Sequence, residues 1–462
     1  MRLKKENGWK NMAEEKKKEI FEFSNGYKKF LNDSKTEREF VRNGIKVAEE
    51  NGFVNAENVE KLKAGDKIYY VNREKNLVLV IVGEEEVEKG VNFVVSHIDS
   101  PRLDLKQNPL FEDTEFALLR THYYGGVKKY QWVSIPLALH GTVILEDGKK
   151  VDLAIGEDDN DPIFTIPDIL PHLSKNAQDD RKAREVIKGE ELQLVVGSIP
   201  TSIEDKEVKD KVKQAILEKL NSDYGMKEED FISAEFEVVP AFKAKDLGFD
   251  RSMIAGYGHD DRICGYTSLK AILEIEKTPK HTAVCYLADK EEIGSTGSTG
   301  LESRYLEFFM SDIMYKLKDN YNDYFLRKCL WNSYALSSDV NGGINPIFKS
   351  VHEEQNASKL GYGIVMTKYT GHGGKGASND ADAEYVGMLR KMLNDAGIKW
   401  QTGMLGKIDE GGGGTVAKYL AHFGIHTIDA GPALLAMHSP YEVASKFDLF
   451  ETYRTYKVFY ER

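Results

Sequence analysis

The sequence predicts an α/β protein: a central mixed sheet flanked by helices, interrupted by an inserted β-rich domain. Residues 246–462 alternate strand-like with helix-like segments, the pattern of helices laid over a sheet. Residues 1–100 supply helices followed by strands of the same kind. Residues 101–245 differ in texture, with aromatic and glycine clusters such as Tyr123-Tyr124-Gly125-Gly126 and an acidic loop at 157–161. A length of 462 residues also exceeds what one hydrophobic core usually organises. The expected domains are therefore 1–100 together with 246–462, and an insert at 101–245.

Taken in order, Ser34-Lys35-Thr36-Glu37 has capping-box spacing, and Phe40, Val41, Ile45 and Ala48 then recur at helical intervals. Residues 77–82 and 91–95 are short β-branched runs that read as strands, the second leading directly into His97. In the insert, 142–145 is strand-like and 203–221 reads as a helix. Ile263, Tyr266, Leu269, Ile272 and Leu273 share one helix face, and 282–288 is a buried strand. Residues 334–338 and 363–367 read as further strands. The run Gly411-Gly412-Gly413-Gly414 is too short for a linker and reads as a tight turn near a site.

Composition excludes several function classes. An apolar fraction of 41% and a charged fraction of 30% are ordinary for a globular protein. No apolar run approaches the roughly 18–20 residues that span a bilayer. The Lys- and Glu-rich residues 1–18 lack the apolar core of a secretory signal. Cys264, Cys285 and Cys329 show no C-x-x-C spacing, which argues against a disulfide framework or a cysteine zinc site and fits a reducing cytoplasm. A formal charge of −12 disfavours nucleic acid and repels an acidic substrate unless local cations reverse the field.

Metal-ligating residue types gather in short segments: His97-Ile98-Asp99-Ser100, Gly258-His259-Asp260-Asp261-Arg262, Asp289-Lys290-Glu291-Glu292, Ser337-Ser338-Asp339 and Met437-His438-Ser439-Pro440. Several lie where an apolar strand stops, and the carboxyl ends of strands are where open α/β sheets build sites. Singly each is weak. A lone histidine is more often a structural, hydrogen-bonded residue, and Asp260 or Asp261 could simply cap the helix that follows. On a strand, residues two apart share a face, so Asp99 can orient His97 as a partner to a metal-bound imidazole. Together, two histidines and three carboxylates suit Zn²⁺, with Co²⁺ or Mn²⁺ as alternatives. With a bridging aspartate they suit two ions about 3.5–4 Å apart, which activate a water for amide hydrolysis. A further glutamate can then move the proton. Among the motifs of nucleophilic-serine, phosphate-loop and helical-zinc enzymes, G-x-S-x-G, G-x-x-x-x-G-K-[ST] and H-E-x-x-H are all missing.

These segments, in this order, resemble the M18 family of metallo-aminopeptidases, the aspartyl aminopeptidase family, and most of all its bacterial branch. The similarity runs from about residue 20 to 460 and is most telling in His97-Ile98-Asp99-Ser100-Pro101-Arg102, in Asp289-Lys290-Glu291-Glu292-Ile293-Gly294-Ser295 and in the stretch from Asp429 to Pro440. The resemblance implies a zinc-peptidase-like catalytic domain, a dimerisation or substrate-access role for the insert, and a dodecamer. It implies two zinc ions per subunit, with His97, Asp260, Glu292, Asp339 and His438 as ligands and Asp260 as the bridge. Glu291 becomes the general base and acid, and Asp99 the partner of His97. Lys368 matches a position that pairs with an acidic substrate side chain. His172 matches a histidine near a neighbouring subunit's substrate, counted in some descriptions as a zinc ligand.

Two departures stand out. The bridging aspartate is followed by Asp261 where the family commonly has asparagine, so Asp260 and Asp261 both remain candidates. After Asp339 the chain reads Val340-Asn341-Gly342-Gly343, without a histidine that some members carry there. The expected activity is removal of amino-terminal residues, with Asp or Glu as candidate preferences, from peptides with a free amino end. The alternatives are a two-metal deacylase or carboxypeptidase-like hydrolase and a non-catalytic metal-stabilised scaffold. The expected setting is a cytoplasmic homo-oligomer without membrane or nucleic-acid partners.

Overall fold

In the strands Asn76–Ile81 and Asn92–His97 every residue is buried, so both faces of the sheet they build need apolar cover. Alternation decides which side chain goes where. Leu77, Leu79, Ile81, Val94, Cys285 and Leu287 enter one core with Phe40, Val41, Leu269, Ile272, Tyr385 and Tyr456. Val78, Val80, Phe93, Val95, Val284 and Tyr286 enter another with Phe309, Met310, Ile313, Leu326 and Leu420. The helices on the two faces are amphipathic partners of one sheet, as the α/β expectation requires.

The computed structural model describes residues 5–202 and 207–462. The chain divides into two compact units, one of Met1–Ser100, Ala244–Met437 and Tyr441–Arg462, the other of Pro101–Lys243 and His438–Pro440. In the first, a mixed nine-stranded sheet runs in the order Val54–Asn55, Lys67–Asn72, Asn76–Ile81, Ala283–Ala288, Asn92–His97, Tyr334–Ser337, His426–Gly431, Ile364–Thr367, Trp400–Thr402. Its middle is parallel from Ala283–Ala288 through His426–Gly431, with Ala288 opposite His97 and Ser337 opposite both Val95 and Asp429. A five-stranded sheet completes this unit. The other unit holds a six-stranded antiparallel sheet and the helix Lys211–Tyr224.

The structure shifts some expected boundaries. The helix expected at 203–221 runs Lys211–Tyr224, and residues 203–206 lie outside the described residues. The capping box belongs to Thr36 and Glu39, not to Ser34 and Glu37, and caps the helix Glu37–Glu50. Thr36-Glu37-Arg38-Glu39 has the same spacing and competes locally, and the Arg262 guanidinium donates to the carbonyls of Ser34 and Lys35, just before the helix, at 3.1 and 2.6 Å. Glu37 is left inside the helix, buried, with Lys75 Nζ 3.3 Å from its carboxylate.

Candidate metal centre

His97 is the last residue of its strand, and the neighbouring parallel strand ends beside it at Ala288. The chain leaving Ala288 passes through Asp289 into a short 3-10 turn, Glu291–Ile293. Lys290, at φ 69°, and Gly294, at φ 83°, bracket that turn with left-handed backbone. The strand Tyr334–Ser337 ends two residues before Asp339. The fourth contribution comes from the start of the helix His259–Leu273, where Asp260 and Asp261 depart from helical geometry and are joined by a cis peptide bond. Regular helical geometry begins only after Asp261, whose carboxylate oxygens meet no backbone N–H among the described residues and so give the helix no side-chain cap. Asp260 is instead pinned through its backbone, its N–H donating to Glu442 at 3.1 Å and its carbonyl accepting from Ser100 Oγ at 2.6 Å.

His97 Nε2 lies 3.2 Å from Asp260, 3.9 Å from Glu291 and 4.0 Å from Asp339. Two triads have ligand atoms within 4.8 Å of one another, His97 with Asp260 and Glu292, and His97 with Asp261 and Asp339. On the other side of the ring, Nδ1 sits 3.1 Å from the Asp99 carbonyl and 3.3 Å from its carboxylate. The same carboxylate accepts the backbone N–H groups of Glu291 and Glu292, each at 3.2 Å. Asp99 therefore positions the imidazole and the glutamate turn at once.

The electrostatics are those of a cation site. Burial works against a charged His97, but the bonds to Asp260 and Asp99 and the charge of Asp261 outweigh it and push its pKa up. Burial pushes Asp261 well above the usual carboxylate range, and the charges of Asp339 and Asp260 add to this against the pull of His97. Asp339 is likewise driven up by burial, helped by Glu291 and Asp260 and opposed by His97. Among the described residues no nitrogen or oxygen donor meets either oxygen of Asp261; the weak thiol donor of Cys264 is what faces it. Buried carboxylates in this number call for protons or cations. The donor set, imidazole nitrogen with carboxylate oxygens, fits zinc.

Of the residues sequence reasoning placed at one site, His97, Asp99, Asp260, Glu291, Glu292 and Asp339 converge. Lys368 instead pairs with Asp380 at 3.5 Å, both side chains about half exposed. His172 is exposed on the short helix Pro171–Ser174 of the other unit. His438 also belongs to that unit, with Nδ1 3.0 Å from the Gly126 carbonyl. Sequence reasoning missed Asp429, buried, accepting from Ser337 Oγ at 2.6 Å and pushed up to about 6 by burial. Asp289, in a segment already singled out but given no role, takes Thr299 Oγ1 at 2.5 Å and Lys290 Nζ at 3.0 Å just before the glutamate turn. Position alone, at a strand end, was the signal for Asp289; nothing local marks Asp429.

A buried imidazole ringed by carboxylates, at the carboxyl ends of parallel strands, defines a metallohydrolase of the α/β class. The family pattern of aminopeptidase I zinc metalloproteases (M18) matches residues 30–460. A probable M18 family aminopeptidase 1 of Borreliella afzelii is 54% identical over 99% of this chain and 100% of its own length. The crystal structure of an M18-family aminopeptidase from Thermotoga maritima superposes with a TM-score of 0.94 at 46% identity, covering 100% of both chains. The fold extends to the mApe1 dodecamer of S. cerevisiae, at 19% identity and a TM-score of 0.76 over 95% of this chain and 96% of that one. The chain belongs to the M18 family of zinc metallo-aminopeptidases and is a peptide hydrolase of that class. No helix among the described residues is long and apolar enough to cross a membrane.

Proposed function

We propose that the chain removes single residues from the free amino ends of peptides at a two-metal centre. His97, Asp260, Glu292, Asp339 and His438 serve as ligands, and Glu291 as general base and acid. The observation that carries this is the convergence of His97 with Asp260, Asp261, Glu291, Glu292 and Asp339. Bound zinc, with cobalt or manganese as alternatives, supplies Lewis acidity and a water of lowered pKa.

The chain's own residues do the rest. Glu291, its side chain 17% exposed, takes the proton of the attacking water and returns it to the leaving amine. Asp99 keeps His97 Nδ1 engaged, so that Nε2 faces the carboxylates. Carboxylates near the ions hold the substrate's free amino group and so register the scissile carbonyl. Asp260 is the bridging candidate by the family resemblance and Asp261 its alternative; each lies in a triad with His97. For His438 the support is the family resemblance and an Nδ1 held by a carbonyl, the arrangement that fixes a ligating tautomer. His172 is assigned first to the substrate and second to metal.

Lys368 is the candidate reader of an acidic side chain, and its pairing with Asp380 supports its capacity to hold a carboxylate. The dodecamer named for the yeast relative supports a homo-oligomer, with Pro101–Lys243 as its dimerisation and substrate-access unit. Three buried free thiols fit a reducing cytoplasm.

The test is a zinc-reconstituted assay on peptides beginning with Asp, Glu, Leu or Ala, each with a free and an acetylated amino end. Cleavage confined to free-amine peptides, lost on chelation and restored by zinc, is expected. Cleavage of acetylated peptides would replace this function with deacylation.

A further inference from the structure

Beyond the end of the strand Ile364–Thr367 the chain forms a hairpin-like loop. Tyr369 bridges Asp380 in antiparallel fashion, the Ala381 N–H donates to the Lys368 carbonyl at 2.9 Å, and the Thr370 N–H donates to Ser378 Oγ at 2.8 Å. This backbone puts Asp380 beside Lys368. One Asp380 oxygen lies 3.5 Å from Lys368 Nζ and the other 2.8 Å from Lys375 Nζ. Lys375 is itself steadied over the Tyr369 ring, 3.9 Å from its centroid. Tyr369 and Lys375 also line a cavity of about 310 Å³ with Met404, Leu405 and Gly412.

We propose that Asp380 is a specificity-determining residue: an internal carboxylate that occupies the ammonium groups of Lys368 and Lys375 and so biases the enzyme against acidic amino-terminal residues. The inference rests on the assignment of Lys368 to the substrate side chain and deepens it. The pair is half exposed, and exposed pairs add little to stability, so the fold does not require Asp380 to be charged. The Lys375 hydrogen bond, against a small opposing effect of burial and with the charge of Lys368, holds Asp380 below the usual carboxylate range. An acidic substrate must therefore meet a lysine whose field a fixed anion already offsets. A neutral side chain meets no such competition.

The experiment compares kcat/KM for the dipeptides Glu-Ala and Leu-Ala in the zinc-loaded wild-type enzyme and in Asp380→Asn, Lys368→Ala and the double variant. Removing the fixed anion 3.5 Å from Lys368 Nζ, in a solvated setting, raises the Glu/Leu ratio by about three- to tenfold. The gain falls mainly on KM for Glu-Ala. It disappears when Lys368→Ala is added. General damage to the fold would lower both substrates together and leave the ratio unmoved. An unchanged ratio in Asp380→Asn, with Lys368→Ala still selectively losing Glu-Ala, overturns this inference alone. Equal losses on both dipeptides in Lys368→Ala overturn the substrate assignment of Lys368 and this inference with it.

Discussion

Replacing Asp99 by asparagine should weaken metal binding and turnover together, because this one side chain supports both halves of the site. Its carboxylate accepts two backbone N–H groups, from Glu291 and Glu292 at 3.2 Å each, and lies 3.3 Å from His97 Nδ1. Asparagine has the same shape but one acceptor oxygen, so its NH₂ must face a backbone N–H or the imidazole as donor against donor. A hydrogen bond to a charged group contributes about 1.5–3 kcal/mol, and each 1.4 kcal/mol or so is a factor of ten. Losing one such bond predicts about a 10- to 100-fold loss, the range typical of partners that orient metal-bound groups. Zinc affinity, read by competition with a calibrated chelator, and kcat/KM at limiting zinc should both fall by that amount. If both quantities stay within about threefold of wild type, Asp99 does not position the site.

Glu291→Gln should keep zinc stoichiometry and lose about 10²- to 10⁴-fold in kcat, the usual worth of a general base; near-normal turnover would reassign the proton transfer. Burial pushes the thiols of Cys285 and Cys329 up to about 11 and 12 and raises Cys264 as well. All three should therefore resist iodoacetamide at pH 8 in the native protein and label fully in guanidinium, as mass spectrometry would read. Asp448 accepts the N–H groups of Gly361 and Gly363 at 2.7 and 2.6 Å, yet burial pushes it up to about 8. The folded state then retains a proton that the unfolded chain, titrating near 4, has lost. Its contribution is full near pH 4 and declines by up to about 1.4 kcal/mol per pH unit as pH rises toward 8. Urea unfolding of Asp448→Asn between pH 6 and 8 should show a shallower pH slope than wild type; parallel slopes would contradict the raised pKa.

How much was readable beforehand depended on how local the cause was. The strand ending at His97 announces itself as a β-branched run and the one ending at Ala288 as a buried apolar one, and Asp99 follows His97 at the spacing that shares a face. The residues after those strands could then be nominated because sheets of this class expose their carboxyl ends. The bond from Asp99 to the Glu291 and Glu292 amides spans nearly two hundred residues and has no local signature. The burial of Asp261 among acids also depends on partners such as Asp339 and His97 brought in by the fold. Asp380 was unreadable for a related reason: its meaning comes from a hairpin-like loop that sets it opposite Tyr369.

The register of Ala288 opposite His97 also has a temporal side. Each strand carries its own local preference, but the distance between imidazole and glutamates exists only once two segments far apart in sequence lie side by side. Contacts of such long separation form late, after the entropy of closing the loop between them has been overcome. Catalytic competence is thus a property of the finished sheet and of no fragment: during refolding, turnover returns after helix content, and a chain stalled before this pairing is inert rather than partly active.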